Sequence, residues 1–211
     1  MARPVAEFRR PEIIEGLRVT LISKGVSMPS NDDIAKNAGM SRQLVRHYYS
    51  RQQPIAVDLA KRLAVETQEA LNRGLNQSLP AKRLDFLLDF LFGMVADDEL
   101  RMPGDAPVED ALLSLAVGDD LLKTELNEEY SVLINQVSGE ISRAYPAMDH
   151  SASLELAGVV MALASGHRKL ASSLGLSSQS DQQARTAAAR IIASYAQQDT
   201  LPMQQAAEES N

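Results

Sequence analysis

Cysteine is absent from all 211 residues. That removes disulfides, thiolate nucleophiles and cysteine-based zinc or iron–sulfur centres, and it suits a reducing compartment, so a cytoplasmic location is expected. Tryptophan is absent as well, aromatic residues make up 4% of the chain, and there are three histidines. With His47, His150 and His167 as the available imidazoles, and no H-E-x-x-H, P-loop or G-x-S-x-G sequence, the residues offer no catalytic constellation. Neither an enzyme nor a bound cofactor is expected. Asp97, Asp98 and Glu99 come nearest to a metal cluster. Three adjacent acids do not share one helix face, however, and no histidine follows at helical spacing, so they read as a solvated end and no metal is expected. No run approaches the roughly 18 consecutive apolar residues of a membrane span, and the opening MARPVAEFRRPE lacks an apolar signal core. Neither membrane insertion nor secretion is expected.

What is present is the composition of a folded helical protein, with 45% hydrophobic and 23% charged residues. Period-2 alternation of β-branched residues is missing, whereas apolar residues recur at helical spacing throughout, so the fold class is all-α. A first helix is expected from Arg9 or Pro11 to about Lys24, with Pro11 in its first turn and Gly25 as its stop. Ser30, Asn31 and Asp32 are caps for a short helix ending at Gly39, and Ser41 caps SRQLVRHYY. A connecting helix begins near Gln53 and Pro54 and runs towards Gly74. Lys82 to about Asp98 is apolar enough to be a helix buried nearly all round. Met102 to Pro107 is a loop by composition, with a short helix beyond it to Gly118. Longer helices are expected from Asp119 and Asp120 to about Tyr145, from Ser151 to about Leu174, and from Asp181 to about Gln197. The helices group into a first part at 1–52 and a longer part at 53–198, with a disordered tail expected at 199–211.

Charge is divided between these parts. The formal net charge is −7, but residues 1–78 hold 12 Lys and Arg against 8 Asp and Glu, while residues 79–211 hold 9 against 20. Between 36 and 62 stand Lys36, Arg42, Arg46, Arg51, Lys61 and Arg62 with one acid, Asp58. This local excess has the sign that phosphate binding needs.

The order of residues from Asn31 to Ser50 meets the steric needs of a helix-turn-helix. Ile34, Ala38 and Val45 supply buried contacts, Ala35 is small where the second helix crosses, and Gly39 sits at a turn that favours positive φ. Arg42, Gln43, Arg46 and His47 project from the next helix as candidate base contacts, since arginine matches guanine O6 and N7 and glutamine matches adenine. Lys36, Ser41, Tyr48, Tyr49 and Arg51 are candidate contacts to the DNA backbone, with Tyr48 and Tyr49 packing the base of the helix as the other reading.

On these residues the chain resembles the TetR family of bacterial transcriptional regulators. The resemblance covers about the first quarter and rests on the Ile-Ala-x-x-Ala-Gly-Met-Ser run from Ile34 to Ser41, the aromatic pair Tyr48 and Tyr49, and Ile55 entering the fourth helix. Two positions depart from the family pattern. Tyr49 stands where phenylalanine is usual, and Gln52 where a phosphate-binding lysine is usual. Arg51 beside it can supply that charge; if it does not, salt dependence should be shallower than in relatives. Arg3, Arg9 and Arg10 can add contacts, in the minor groove for instance.

The resemblance implies a repressor that is a homodimer on double-stranded DNA, with 1–52 as a DNA-binding helix-turn-helix domain, 53–198 as a helical ligand-binding and dimerisation domain, and the last two helices of each subunit in a four-helix bundle. It implies a palindromic operator read by helices about 34 Å apart, and release by an unknown small-molecule effector that shifts the tilt of the fourth helix. Gly158, Ala162, Ser165, Gly166, Ile191 and Tyr195 are candidates for the dimer seam, or for close packing within one chain. Phe86, Phe90, Met94, Tyr130, Met161 and His167 are candidates for a ligand pocket, although aromatic and methionine residues at helical spacing more often form core. The alternative to a repressor is a helical ligand carrier or adaptor without specific DNA binding. Gln52 favours it and the basic excess opposes it.

Overall fold

A computed structural model of the chain describes residues 5–24, 29–51, 53–103 and 106–198. The expectations that concern Arg3, the Gly25 stop, Gln52 and the 199–211 tail lie outside these. The described residues form nine α-helices and no strand. They are α1 (Val5–Lys24), α2 (Asn31–Asn37), α3 (Arg42–Tyr48), α4 (Gln53–Gln77), α5 (Arg83–Leu91), α6 (Ala106–Ala116), α7 (Asp120–Ala144), α8 (His150–Leu174) and α9 (Ser178–Gln198), with a 3₁₀ turn at Pro80–Lys82. No helix among them is long and apolar enough to cross a membrane.

The described residues fold as two compact units, one within 1–67 and 103–129, the other within 68–102 and 130–211. Packing therefore does not follow the chain order 1–52 and 53–198. The start of α4, all of α6 and the start of α7 belong with α1–α3, because Ile55, Leu59 and Leu63 of α4, Val108 and Leu112 of α6, and Leu122 of α7 complete the core around Ile13, Leu17, Ile34 and Val45. The second core gathers Leu71 and Leu75 with Leu87, Phe90, Val137, Ile141, Leu156, Val160 and Ile192.

Three expectations about helix limits change. Helix α1 begins at Val5, so Pro11 lies inside it rather than in its first turn. Helix α4 continues past Gly74 to Gln77. Gly74 is not a stop: a Cβ there would lie 1.9 Å from Phe86 Cζ, so glycine leaves room for that ring. The apolar segment from Lys82 to Asp98 is helical for Arg83–Leu91, because Gly93 takes φ 71° and turns the backbone out of the helix. Nor is that helix apolar all round. Arg83 reaches Glu140 of α7 with Nε and Nη2, at 2.9 and 2.7 Å, and gives Nη1 to the Leu75 carbonyl at 2.8 Å. Glu140 is buried, and this bidentate pairing satisfies its carboxylate.

Candidate nucleic-acid interface

Helix α2 opens with a capping box. The Ser30 hydroxyl accepts from Asp33 N while the Asp33 carboxylate accepts from Ser30 N at 3.3 Å. Asp33 also accepts from Lys24 Nζ at 2.5 Å, and that hydrogen bond, with those from Ser30, lowers its pKa to about 2. Helix α2 ends in a left-handed glycine turn. Met40 N donates to Ala35 O at 2.9 Å and Gly39 N to Lys36 O at 3.3 Å, with Gly39 at φ 64°. Ser41 caps α3 by accepting from Leu44 N at 3.2 Å. These local bonds set the angle between α2 and α3, and buried Ile34, Ala35 and Val45 seal it.

Sequence reasoning missed Gly16, which lets α1 approach α2. A Cβ at this position would lie 2.7 Å from Ile34 O and 2.8 Å from Ala38 Cβ. Ala38 is half-buried against it rather than fully enclosed. The signal was available, since a glycine amid the apolar helical spacing of Ile13, Leu17 and Leu21 costs helix stability unless a neighbour needs the space. Thr20 and Asn37 fasten the same crossing: the Asn37 amide donates to the Thr20 hydroxyl at 2.8 Å.

The outward side of α3 carries Arg42, Gln43, Arg46 and His47, all exposed, with the His47 ring edge-on to Tyr48. Exposed Lys36 and Ser41 lie before them and Arg51 after them. Tyr49 corrects one expectation. Its ring is 3% exposed and its hydroxyl donates to Asp58 of α4 at 2.6 Å, so it packs the base of α3 and has no hydroxyl to offer a phosphate. Burial, with Asp58 beside it, pushes its pKa well up. Tyr48 is half-buried against the same core. The arginines of the first helix are also engaged within the fold: Arg10 lies over the Tyr49 ring, 5.3 Å from its centre, and Arg9 pairs with Glu12 at 2.9 Å.

The basic excess at 36–62 is partly neutralised by contacts that sequence order does not reveal. Lys61 pairs with Glu125 at 3.3 Å, and Arg62 with Glu66 at 2.7 Å and Glu15 at 3.3 Å. Arg42 pairs with Asp32 at 3.1 Å. Of the described cations between 36 and 62, Lys36, Arg46 and Arg51 have no ion-pair partner and are left for an external anion.

In the second unit the six candidate pocket residues are not brought together. Phe90 and Met161 are buried core, Tyr130 is exposed, and His167 holds Asp181 of α9 through Nε2 at 2.8 Å with Phe92 beside its ring. Phe86 and Met94 do line a common space, an open cleft of about 590 Å³ shared with Ser78, Lys82, Asp85, Asp89, Gln182 and Arg185. Arg185 spans Asp85 and Asp89 there, at 3.0 and 2.9 Å. The small residues of α8 are clearer. Ala162, Ser165 and Gly166 are exposed, and a Cβ at Gly158 or Gly166 would meet nothing within 4 Å. Among the described residues nothing packs closely against them. Ile191 and Tyr195 of α9 are half-buried at the edge of the second core.

No family model and no curated protein matches the chain. Solved structures do match. A TetR transcription regulator from Haloarcula marismortui superposes with a TM-score of 0.73 at 16% identity, over 90% of this chain and 98% of that one. A TetR-family regulator from Cytophaga hutchinsonii gives 0.72 at 15% identity, over 92% and 98%. A transcriptional regulator from Saccharomonospora viridis, in complex with choline, gives 0.67 at 18% identity, over 88% and 95%. The chain has the fold of the TetR-family transcriptional regulators.

Proposed function

We propose that the chain is a DNA-binding transcription repressor that acts as a homodimer on a palindromic operator and is released by a small-molecule effector. The observation that carries this reading is α3 itself. It is anchored from behind by Val45 and Tyr49 and presents Arg42, Gln43, Arg46 and His47 outward, between the unpaired cations Lys36 and Arg51. A short helix with guanidinium and amide donors on its outer face suits base edges in a major groove, and cations on either side suit phosphates. Arg51 takes the place of the lysine that Gln52 lacks. The homodimer is supported by a face of α8 that no described residue covers, where exposed Val159 and Leu170 stand with Ala162 and Gly166. A small effector is supported by the choline of the Saccharomonospora viridis regulator, and Phe86 and Met94 in the open cleft are the residues offered for its contact.

Fluorescence anisotropy with a duplex from the promoter beside the gene, at two salt concentrations, tests the reading. Binding should be sequence-selective and should weaken steeply as salt rises, because each neutralised phosphate releases counterions. Arg46→Ala should relax discrimination by about tenfold, whereas Arg51→Ala should weaken all duplexes alike and flatten the salt slope. Failure to bind at low salt would leave a helical ligand carrier as the better account.

A further inference from the structure

We infer that Asp32 is a specificity-determining residue of the DNA-reading surface: its carboxylate holds and aims the Arg42 guanidinium, so that a residue of α2 sharpens the base reading done from α3. This rests on the DNA-binding reading above and adds a residue to it.

The two adjacent acids at the start of α2 have different tasks. Asp33 is committed to the fold, closing the capping box with Ser30 and accepting from Lys24. Asp32 turns the other way, 61% exposed, and its Oδ2 lies 3.1 Å from Arg42 Nη1, whose side chain is 50% exposed. An acid here is costly for a surface that must meet phosphates, since it repels them whatever the sequence. Asp58, the acid within 36–62, avoids that cost by facing inward to the Tyr49 hydroxyl.

The gain lies in the geometry of arginine. A guanidinium has five N–H donors in one plane, and guanine takes two of them. A carboxylate holding Nη1 leaves Nε and Nη2 to point outward together and orders a long side chain before DNA arrives, which lowers the entropy lost on binding. In the free protein the pair is exposed and screened by water, so it does little for the fold. When a duplex covers it, water is displaced and the same contact strengthens. The turn bonds from Met40 and Gly39 into α2 fix the separation of α2 and α3, so the aim is set by the scaffold.

This role predicts effects of opposite sign from one substitution. The full-length protein first selects its preferred sequence from a randomised duplex pool. Anisotropy then measures that duplex, its single-base variants and an unrelated duplex. Asp32→Asn should bind the unrelated duplex about twofold more tightly, through loss of repulsion. The same variant should lose about threefold or more of its preference for guanine at one position per half-site. Arg42→Ala should lose preference at that same position, and adding Asp32→Asn to it should remove nothing more. Asp32→Glu, which keeps the charge one methylene further out, should restore part of the preference. A thermal melt of Asp32→Asn matching the parent shows that the scaffold is unchanged. Uniform weakening on every duplex, or unchanged preference at every position, overturns the inference while leaving the repressor reading intact. A parent protein that selects no sequence overturns both.

Discussion

Glu129 of α7 sets charge against burial. Its Oε1 is buried and, among the described residues, has no hydrogen-bond partner. Its pKa is raised to about 7 from 4.5, first by burial and then by Glu125, with Lys61 opposing. Lys61 is already paired to Glu125 at 3.3 Å, which limits its help. Below pH 4.5 the carboxyl is neutral in both the folded and the unfolded chain, and nothing is lost. As pH rises from there to 7 the unfolded chain releases the proton before the folded one does, so stability falls across that window and stays lower above it. Because the group keeps part of its exposure, the effect is discounted to about 1 kcal/mol. Glu129→Gln should therefore melt about 2–4 °C higher than the parent at pH 8 and match it at pH 4. An equal difference at both pH values would mean that packing, not charge, decides the outcome. Nothing in the residue order marks Glu129, because its burial comes from neighbours elsewhere in the fold.

Among the elements, the crossing of α1 over α2 depends on a missing side chain. Gly16→Ala gains about 1 kcal/mol of helix propensity, yet its Cβ would stand 2.7 Å from Ile34 O and 2.9 Å from Ala38 N, which are backbone atoms that cannot swing aside. The clash should outweigh the propensity, lowering the melting temperature and weakening DNA binding. Gly166→Ala meets nothing within 4 Å and should leave the helix intact, so the pair separates crowding from propensity. The helix-turn-helix was legible in the sequence because its determinants are local: Ser30 with Asp33, Gly39 at the turn, Ser41 before α3. Helix limits in the second unit were less legible. The apolar run continues past Leu91, while the Gly93 backbone ends the helix. The helix expected to run towards Gly74 passes through it, because the glycine makes room for Phe86, twelve residues on. Arg83 meets Glu140 at a separation of 57 residues, and nothing in local spacing points to such a partner.

For the whole molecule, the uneven charge of the chain and the uncovered face of α8 bear on one question, which is how a short recognition helix could grip DNA. On the proposed reading Lys36 and Arg51 in a single chain would provide few phosphate contacts, and one half-site would offer little discrimination against the rest of a genome. Two copies joined in register multiply the contacts and confine the second recognition helix near its own half-site. The face bearing Ala162 suits such a union, because small side chains let helix backbones approach closely and exposed Val159 and Leu170 would leave water on contact. Ala162 is exposed in the single chain, so an arginine there disturbs no internal packing. Ala162→Arg should keep its helicity and sediment as a monomer at micromolar concentration, where the parent sediments as a dimer. It should lose more than about tenfold in affinity for a palindromic duplex while binding an isolated half-site as the parent does. A parent protein that is itself monomeric, or a variant that still dimerises, would move the interface away from α8.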